Sequence, residues 1–292
     1  MPFAAVDWRV RTQTLTNADH TLIMGVLNVT PDSFSDGGRF ATSSDAIAAG
    51  LHLRTSGADI VDVGGESTRP GAFPVDSDEE LERVAPVVAG LAAEGVVVSI
   101  DTSKPVVAAA AVAHGAEIVN DVTGLRSPEM RHIVADTAVG AVVMHMRGTP
   151  ATMQVDPQYN EVVSDVRTEL AAAMDAAVAA GVDAAALCAD PGIGFGKTLE
   201  HNLQLLAGLE ELVGLGVPVL VGASRKGFLG AILDAAGHGA PADGRDAATA
   251  ATTVRAITAG AMAVRAHNVA STLQVARVAD AIVRAHSAQK SG

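Results

Sequence analysis

The stretch Gly57-Ala58-Asp59-Ile60-Val61-Asp62 begins with glycine, continues through mostly apolar residues and ends at a polar residue. Three other stretches repeat this pattern: Gly115-Ala116-Glu117-Ile118-Val119-Asn120, Gly140-Ala141-Val142-Val143-Met144-His145 and Gly260-Ala261-Met262-Ala263-Val264-Arg265. A leading glycine is typical of a helix end, where the left-handed backbone strains other residues. Looser copies follow Gly95, Gly181 and Gly216, and the apolar segment 22–28 precedes them all. Together these stretches predict eight strands.

The segments between the strands have the residue spacing of helices. Apolar residues recur every three or four positions over 165–180, and Ser77 begins a capping sequence for a helix that runs to about Ala93. Strands that alternate with amphipathic helices form a parallel sheet with both faces covered. Eight such units in 292 residues predict an α/β fold of the (β/α)8 TIM-barrel class, closed rather than doubly wound.

The predicted barrel divides the chain into three parts. Residues 1–21 are expected to form a short N-terminal β-hairpin that plugs the bottom of the barrel, because Trp8, Val10 and Leu15 alternate weakly with polar residues. Residues 22–286 are expected to form one barrel domain. The polar residues 287–292 are expected to be a frayed tail.

The composition excludes several functional classes. The chain carries 33 acidic and 20 basic side chains, a formal net charge of −13, which argues against nucleic acid or an anionic membrane as a partner. No segment reaches the roughly 18 to 20 apolar residues of a membrane span, and charged residues interrupt the N-terminus where a signal peptide is apolar. The single cysteine, Cys188, excludes an internal disulfide and a multi-thiolate metal site. These features predict a cytoplasmic protein.

Polar residues stand at the end of every predicted strand, which in a barrel is the face that carries the chemistry. The scarce positive charge gathers there, in Arg69, Arg225, Lys226, Arg265 and His267. This concentration indicates an anionic ligand with a phosphate or carboxylate group. Alternatively, some of these cations form structural ion pairs with Asp101 or Asp190. The strand ends also supply Asp101, Asn120 and Asp190, an array of acceptors and an amide that suits a nitrogen heterocycle.

Three other features are given no functional role. The stretch Gly192-Ile193-Gly194-Phe195-Gly196-Lys197-Thr198 lacks both the P-loop and the dinucleotide-binding spacing. The histidines show no paired spacing for zinc. Cys188 is interpreted as a small core residue.

The stretch Met24-Gly25-Val26-Leu27-Asn28-Val29-Thr30-Pro31-Asp32-Ser33-Phe34-Ser35-Asp36-Gly37-Gly38 resembles the first conserved block of the dihydropteroate synthases, a folate-pathway family of pterin-binding barrels. The resemblance continues, in family order, through the blocks 62–71, 99–102, 120–122, 144–147, 190–195, 222–226 and 265–267. It therefore covers the chain from Leu22 onward.

The resemblance implies a transferase reaction that condenses 6-hydroxymethyl-7,8-dihydropterin diphosphate with 4-aminobenzoate. The products are 7,8-dihydropteroate and pyrophosphate, formed by a magnesium-assisted, SN1-like displacement. The resemblance assigns pterin binding to Asp101, Asn120, Met144, Asp190, Phe195, Gly222 and Lys226. It assigns the catalytic roles to Asp101, Lys226, Arg265 and His267.

The remaining implied roles concern the diphosphate, the metal ion and 4-aminobenzoate. The diphosphate would be bound by Asn28, Thr68, Arg69, Arg265 and His267, with Asn28 as the protein's ligand to Mg²⁺. Two loops, 30–40 and 66–73, would build the 4-aminobenzoate pocket from Phe34, Asp36, Thr68, Arg69 and Pro70. The family further implies a homodimer.

Two positions depart from the family pattern. Gly227 stands where many relatives carry serine, and Asn268 stands where an aspartate often follows the Arg-x-His motif. The residues leave open whether the enzyme is sensitive to sulfonamides or is a resistant variant. Two rival functions are a methyltetrahydrofolate-dependent corrinoid methyltransferase and a non-catalytic pterin-binding paralogue. The implied diphosphate site argues against the methyltransferase, and the intact loop motifs argue against the paralogue.

Overall fold

The computed structural model describes residues 5–30, 42–68 and 74–291, with side chains described as far as 286. The first pair of strands, β1 (Asp7–Arg9) and β2 (Thr14–Thr16), is an antiparallel hairpin. The remaining strands form one eight-stranded sheet: β3 (Leu22–Asn28), β4 (Ile60–Gly64), β5 (Val98–Asp101), β6 (Ile118–Asp121), β7 (Gly140–Met144), β8 (Leu187–Asp190), β9 (Leu220–Val221) and β10 (Ala263–Ala266). The predicted hairpin and the eight strands are therefore confirmed.

Every neighbouring pair in the large sheet is parallel, in the order β8-β7-β6-β5-β4-β3-β10-β9. A parallel bridge between Ala189 and Val219 joins the two end strands. The sheet is thus closed, as the predicted TIM barrel requires.

Helices follow the strands and cover the outside of the barrel. They are α1 (Ser43–Thr55), α2 (Ser77–Ala93), α3 (Pro105–Ala113), α4 (Pro128–Thr137), α5 (Val162–Ala179), α6 (Leu199–Ala207), α7 (Leu209–Val213), α8 (Gly227–Ala235), α9 (Asp246–Ala259) and α10 (Val269–Ser291). The Asp76 side chain caps α2 by accepting from the Asp78 N–H, one residue before the predicted start. Among the described residues, no helix is long and apolar enough to cross a membrane.

The last helix, α10, continues as far as Ser291. The sequence Ala285-His286-Ser287-Ala288-Gln289-Lys290 contains no glycine or proline. Its alanine, glutamine and lysine are good helix formers, so nothing in it interrupts the helical backbone.

The hairpin closes the bottom of the barrel. Trp8 and Val10 are fully buried among inward-facing strand residues that include Ile60, Ile118 and Cys188. The Trp8 indole donates to the Ala186 carbonyl at 2.9 Å, which satisfies its only polar atom. This packing leaves the opposite end, at the carboxyl ends of the strands, for a site.

Candidate active site

Alternation along the strands places polar side chains above the apolar bottom of the barrel. Successive residues of a strand point to opposite faces, so a residue two positions after an inward apolar one also points inward. The apolar residues Ile60, Ile118, Cys188 and Ala263 lie in the bottom cluster. Two positions after them come Asp62, Asn120, Asp190 and Arg265. The polar groups of distant strands therefore meet in one layer.

The centre of this layer is a cluster formed by two carboxylates and one guanidinium. Arg265 donates from Nε to Asp62 Oδ2 at 2.6 Å and from Nη2 to Asp101 Oδ2 at 2.7 Å. Asn120 donates from Nδ2 to the same Asp62 oxygen at 3.0 Å. Burial alone would lower the pKa of Arg265, but the Asp62 and Asp101 carboxylates raise it, so the guanidinium stays charged.

Asp101 carries a strongly perturbed carboxyl group. Burial, together with the nearby carboxylates of Asp62 and Glu80, raises the pKa of Asp101 to about 7, against the opposing influence of Arg265. The second oxygens of Asp101 and Asp62 are buried and accept no hydrogen bond from the described residues. Buried acceptors of this kind suit a ligand that brings its own N–H donors.

Asp190 and Lys226 lie on the far side of the same layer. Burial raises the pKa of Asp190, whose Oδ1 accepts from the Gly192 N–H at 2.7 Å. Lys226 extends across the Phe195 ring, with Nζ 3.7 Å from the ring centroid. Gly194 makes room for it: a Cβ there would lie 2.9 Å from Lys226 Cδ, and its φ is +83°.

Glycine and apolar side chains shape the space between these polar groups. A Cβ added at Gly222 would lie 3.7 Å from Arg265 Cβ and 3.8 Å from Asp190 Oδ2, so the glycine leaves open space between these residues. One wall is a buried apolar cluster, formed by Val122, Met144, Met146, Met153 and Phe195. A flat heterocycle would have an apolar wall and polar groups at its edge, which is the usual lining of a ligand pocket.

His267 lies beyond Arg265, at the end of β10. Its Nδ1 is 3.0 Å from Ser224 Oγ, which also accepts from the His267 backbone N–H at 3.2 Å. Ser224 thus orients the imidazole, although the sequence indicated only that it stands at a strand end.

Arg225 pairs with a carboxylate at the start of α9. Its guanidinium donates from Nε to Asp246 Oδ1 at 2.8 Å and from Nη2 to Asp246 Oδ2 at 3.0 Å. Asn268 donates to the same carboxylate at 2.7 Å and accepts from the Ser271 N–H, which caps the start of α10. Arg225 thus forms an ion pair with Asp246, and Arg265 pairs with Asp101, one of the two carboxylates that the ion-pair alternative named.

Several predicted residues are not tested by this geometry. Asn28 and Thr68 are described and partly exposed. Phe34, Asp36, Arg69 and Pro70 lie outside the described residues, as do most of the two predicted loops. At the described start of the second loop, Glu66 pairs with Lys104, which also binds the buried Glu80.

The site also contains a buried lysine that sequence reasoning overlooked. Lys197 donates to the carbonyls of Gly192 at 3.0 Å, Phe195 at 2.9 Å and His145 at 3.2 Å, and lies 3.0 Å from His145 Nδ1. Burial lowers the pKa of Lys197 to about 7 and that of His145 to about 4. The position of Lys197 in the glycine-rich stretch after β8 could have indicated its burial. The three glycines have no side chains to shield the backbone carbonyls, which can therefore accept from the ammonium group.

Comparison with known proteins agrees with this geometry. The family model for pterin-binding enzymes matches residues 24–267. The dihydropteroate synthase of Mycobacterium leprae is 51% identical over 266 residues, which cover 90% of this chain and 94% of that protein. The Escherichia coli K12 dihydropteroate synthase is 41% identical over 93% of this chain and 95% of that protein.

Solved structures resemble the whole fold. Xanthomonas albilineans dihydropteroate synthase with 4-aminobenzoic acid matches with a TM-score of 0.87 and 44% identity, over 96% of this chain and 98% of that one. The Yersinia pestis dihydropteroate synthase in a sulfonamide drug complex matches with a TM-score of 0.89 and 39% identity, over 96% and 100%. Family model, curated relatives and structures agree, and the chain belongs to the dihydropteroate synthase family of pterin-binding enzymes.

Proposed function

We propose that this barrel joins 6-hydroxymethyl-7,8-dihydropterin diphosphate to 4-aminobenzoate, releasing pyrophosphate and forming 7,8-dihydropteroate. The observation that carries the proposal is the layer of buried polar groups at the carboxyl ends of the strands. In it, unpartnered carboxylate oxygens lie beside a guanidinium and an ammonium group. The acids suit the N–H edge of a pterin, and the cations suit its acceptors and its diphosphate.

The pterin is proposed to lie against the wall that contains Met144 and Phe195, with its edge toward Asp101, Asn120 and Asp190. The unpartnered Oδ1 of Asp101 supplies one acceptor for a ring N–H. Lys226 is the donor on the opposite side, close to the open space left by Gly222. Most of these side chains are buried, so water competes weakly for the hydrogen bonds.

Cleavage of the methylene carbon–oxygen bond moves an electron pair onto the leaving diphosphate. Arg265, whose charge the two carboxylates secure, and His267 are proposed to bind that growing negative charge. The electron-rich dihydropterin carries the complementary positive charge, and the arylamine then attacks the methylene carbon and loses a proton. This dissociative course needs no covalent nucleophile. Cys188 is accordingly buried in the barrel bottom, and burial raises the pKa of its thiol.

Magnesium fits this site only with the help of the substrate. Among the described residues, no group of three or more His, Cys, Asp or Glu side chains is placed to hold a metal ion. Asn28 ends β3 at the barrel mouth, and a Cβ at Gly64 would lie 3.8 Å from its Oδ1 and from Asp101 Oδ2. One amide oxygen suits Mg²⁺, which commonly takes its other ligands from phosphates and water. When bound, the ion would neutralise charge on the leaving diphosphate.

The 4-aminobenzoate is proposed to bind at Thr68, with Phe34, Asp36, Arg69 and Pro70 contributing from the segments that lie outside the described residues. The structures of relatives with 4-aminobenzoic acid and with a sulfonamide drug support binding of 4-aminobenzoate by a protein of this fold. A sulfonamide inhibition curve on the purified chain would decide between a sensitive and a resistant enzyme.

A homodimer is part of the proposal. Helices α9 and α10 pack on each other, and they carry exposed apolar side chains at Val254, Val278 and Ile282. Such side chains are candidates for burial in a symmetric contact. Light scattering of the wild type and of V278D/I282D tests this, and a monomeric wild type would contradict it.

A cytoplasmic location is also proposed. Cys188 is a free, buried thiol, which is compatible with a reducing compartment. Cell fractionation with antibody detection of the chain checks this, and recovery of the chain from the exported fraction would contradict it.

The central test uses purified protein with the pterin diphosphate, Mg²⁺ and 4-aminobenzoate. We expect stoichiometric release of pyrophosphate and dihydropteroate, abolished in K226M. A suitable control is D121N, because among the described residues the buried Asp121 carboxylate accepts from its own loop alone, at Thr123 and Leu125. Binding of the pterin without release would favour a non-catalytic paralogue.

Calorimetry with inorganic pyrophosphate tests the metal separately from turnover. Binding should need Mg²⁺ and should weaken in N28A. Equal binding with Mg²⁺ and with EDTA would contradict the assignment of Asn28.

A further inference from the structure

No direct substrate contact is assigned to Asp62 in the reaction proposed above, yet its carboxylate lies at the centre of the site. It is completely buried in β4. Its Oδ2 accepts from Arg265 Nε at 2.6 Å and from Asn120 Nδ2 at 3.0 Å. In the proposed function Asn120 binds the pterin and Arg265 binds the diphosphate. One carboxylate oxygen therefore contacts both residues that are proposed to bind the two halves of the substrate.

The two edges of the Arg265 guanidinium have different partners. The Nε edge is held by Asp62, which has no exposed surface, and Nη2 is held by Asp101, which is 8% exposed. Asp101 is also the residue proposed to accept from the pterin. Asp101 Oδ1 accepts no hydrogen bond from the described residues and can take one pterin N–H, so a second N–H of the ring edge would compete with Arg265 Nη2 for Oδ2. The proposed substrate contacts leave Asp62 untouched.

We propose that Asp62 is a positioning residue that couples diphosphate binding to pterin binding. It keeps Arg265 in place through Nε while the Nη edge exchanges Asp101 for a phosphate oxygen. Through the same oxygen it holds the Asn120 amide toward the pterin. The exchange keeps the guanidinium paired with Asp62 throughout. It also frees Asp101 Oδ2, the oxygen bound by Arg265, to accept a second N–H of the pterin. This inference rests on the proposed function and deepens it.

An ionised carboxylate suits this task better than an amide. Two donors converge on one oxygen, and hydrogen bonds between charged partners are about twice as strong as neutral ones. Asparagine at position 62 would keep the shape but would lose the charge that balances the buried guanidinium. It would also present an N–H₂ group to donors if its amide turned.

The test compares the dissociation constants of two ligands by calorimetry. The ligands are 6-hydroxymethylpterin and 6-hydroxymethylpterin diphosphate, the latter with Mg²⁺. The Kd of the first divided by the Kd of the second measures how much the diphosphate adds to binding. We expect this ratio to fall at least tenfold in D62N and to stay at the wild-type value in D121N. Asp121 is equally buried and also lies in a strand of the barrel, so D121N controls for the loss of any buried carboxylate. An unchanged ratio in D62N would overturn the proposal.

A double-mutant cycle tests whether Asp62 acts through Arg265. In the R265M background, D62N should lower the ratio no further, because the donor that it positions is gone. A further tenfold loss in that background would overturn the coupling.

A third measurement needs no substitution at Asp62 and covers the case in which D62N fails to fold. The ¹⁵N resonance of Arg265 Nε, assigned by its loss in R265M, should keep its position when inorganic pyrophosphate and Mg²⁺ are added. A large shift would mean that the guanidinium leaves Asp62. These binding readouts do not depend on turnover, whereas pyrophosphate release by the wild type tests the proposed function itself.

Discussion

Arg265 and Asp101 stand 164 residues apart in the chain and meet at 2.7 Å between Nη2 and Oδ2. The pair joins the residue proposed to recognise the pterin ring to the one proposed to stabilise the leaving diphosphate. Binding of the substrate must therefore rearrange charge that the fold has already paired. The free energy of unfolding should therefore depend on pH through these buried charged groups.

Asp101 should make the substrate-free protein less stable as pH rises. The pKa of its buried carboxyl group is raised to about 7, so the folded chain holds a proton that the unfolded chain releases above about pH 4. Stability from this group is present at low pH and is lost as pH rises through about 7. We expect the free energy of unfolding of D101N, relative to wild type, to rise by on the order of 2 kcal/mol between about pH 5 and about pH 8. Urea denaturation checks this, and parallel pH profiles would contradict it.

Lys197 should have the opposite effect on the pH dependence of stability. Burial lowers the pKa of Lys197 to about 7. Above that pH the folded state binds fewer protons than the unfolded state, so stability rises with pH until the unfolded lysine also loses its proton. We expect the rise in denaturation midpoint from about pH 7 to about pH 9 to be smaller in K197M than in wild type. K104M, at a partly exposed lysine, is the comparison variant, and equal slopes in wild type and K197M would refute the prediction.

Gly222 should be required for pterin binding but not for folding. An added Cβ would make ordinary contacts of 3.7 Å and 3.8 Å with Arg265 and Asp190, so G222A should melt within a few degrees of wild type. The methyl group would occupy the space proposed for the ring, and we expect the Kd for 6-hydroxymethylpterin to rise at least tenfold.

G227A serves as the control for Gly222, because a Cβ at Gly227 has no neighbour within 4 Å among the described residues. If G222A and G227A bound the pterin equally well, the proposed ring position would be wrong.

Replacing Gly227 with the serine that many relatives carry should strengthen the binding of 4-aminobenzoate. It is the first residue of α8, and the space around its Cα accepts a side chain without a clash. A hydroxyl there would be available to the 4-aminobenzoate carboxylate. A hydrogen bond to a charged group contributes about 1.5 to 3 kcal/mol, so we expect G227S to lower the KM for 4-aminobenzoate by about tenfold or more. The KM for the pterin diphosphate should not change, and a change in that constant alone would refute the assignment.

Much of the architecture was predictable because it repeats local rules. The strand predicted at 22–28 and the helix predicted from Ser77 to about Ala93 have those bounds in the structure, and the helix predicted at 165–180 runs from Val162 to Ala179. Apolar periodicity and capping act over a few residues, so they can be read directly from the sequence.

The partners of the charged groups were not predictable in the same way. Arg225 and Arg265 both stand at strand ends. Arg225 binds Asp246 at the start of α9, whereas Arg265 binds Asp62 of β4 and Asp101 of β5. Lys197 lies in a glycine-rich segment that looks exposed, but its ammonium group is buried among carbonyls. Each outcome depends on which segments the completed barrel brings together.

The sequence by itself determined that polar groups would lie together at one end of a parallel barrel. Residues two positions apart in a strand point to the same face, so each polar residue lies above an apolar one in the barrel interior. Only the tertiary structure decided how those groups pair. Asp62 and Arg265 are 203 residues apart, and they meet because β10 pairs with β3, which pairs with β4. Electrostatic energy depends on distances of a few ångströms, which a pattern along the chain does not specify.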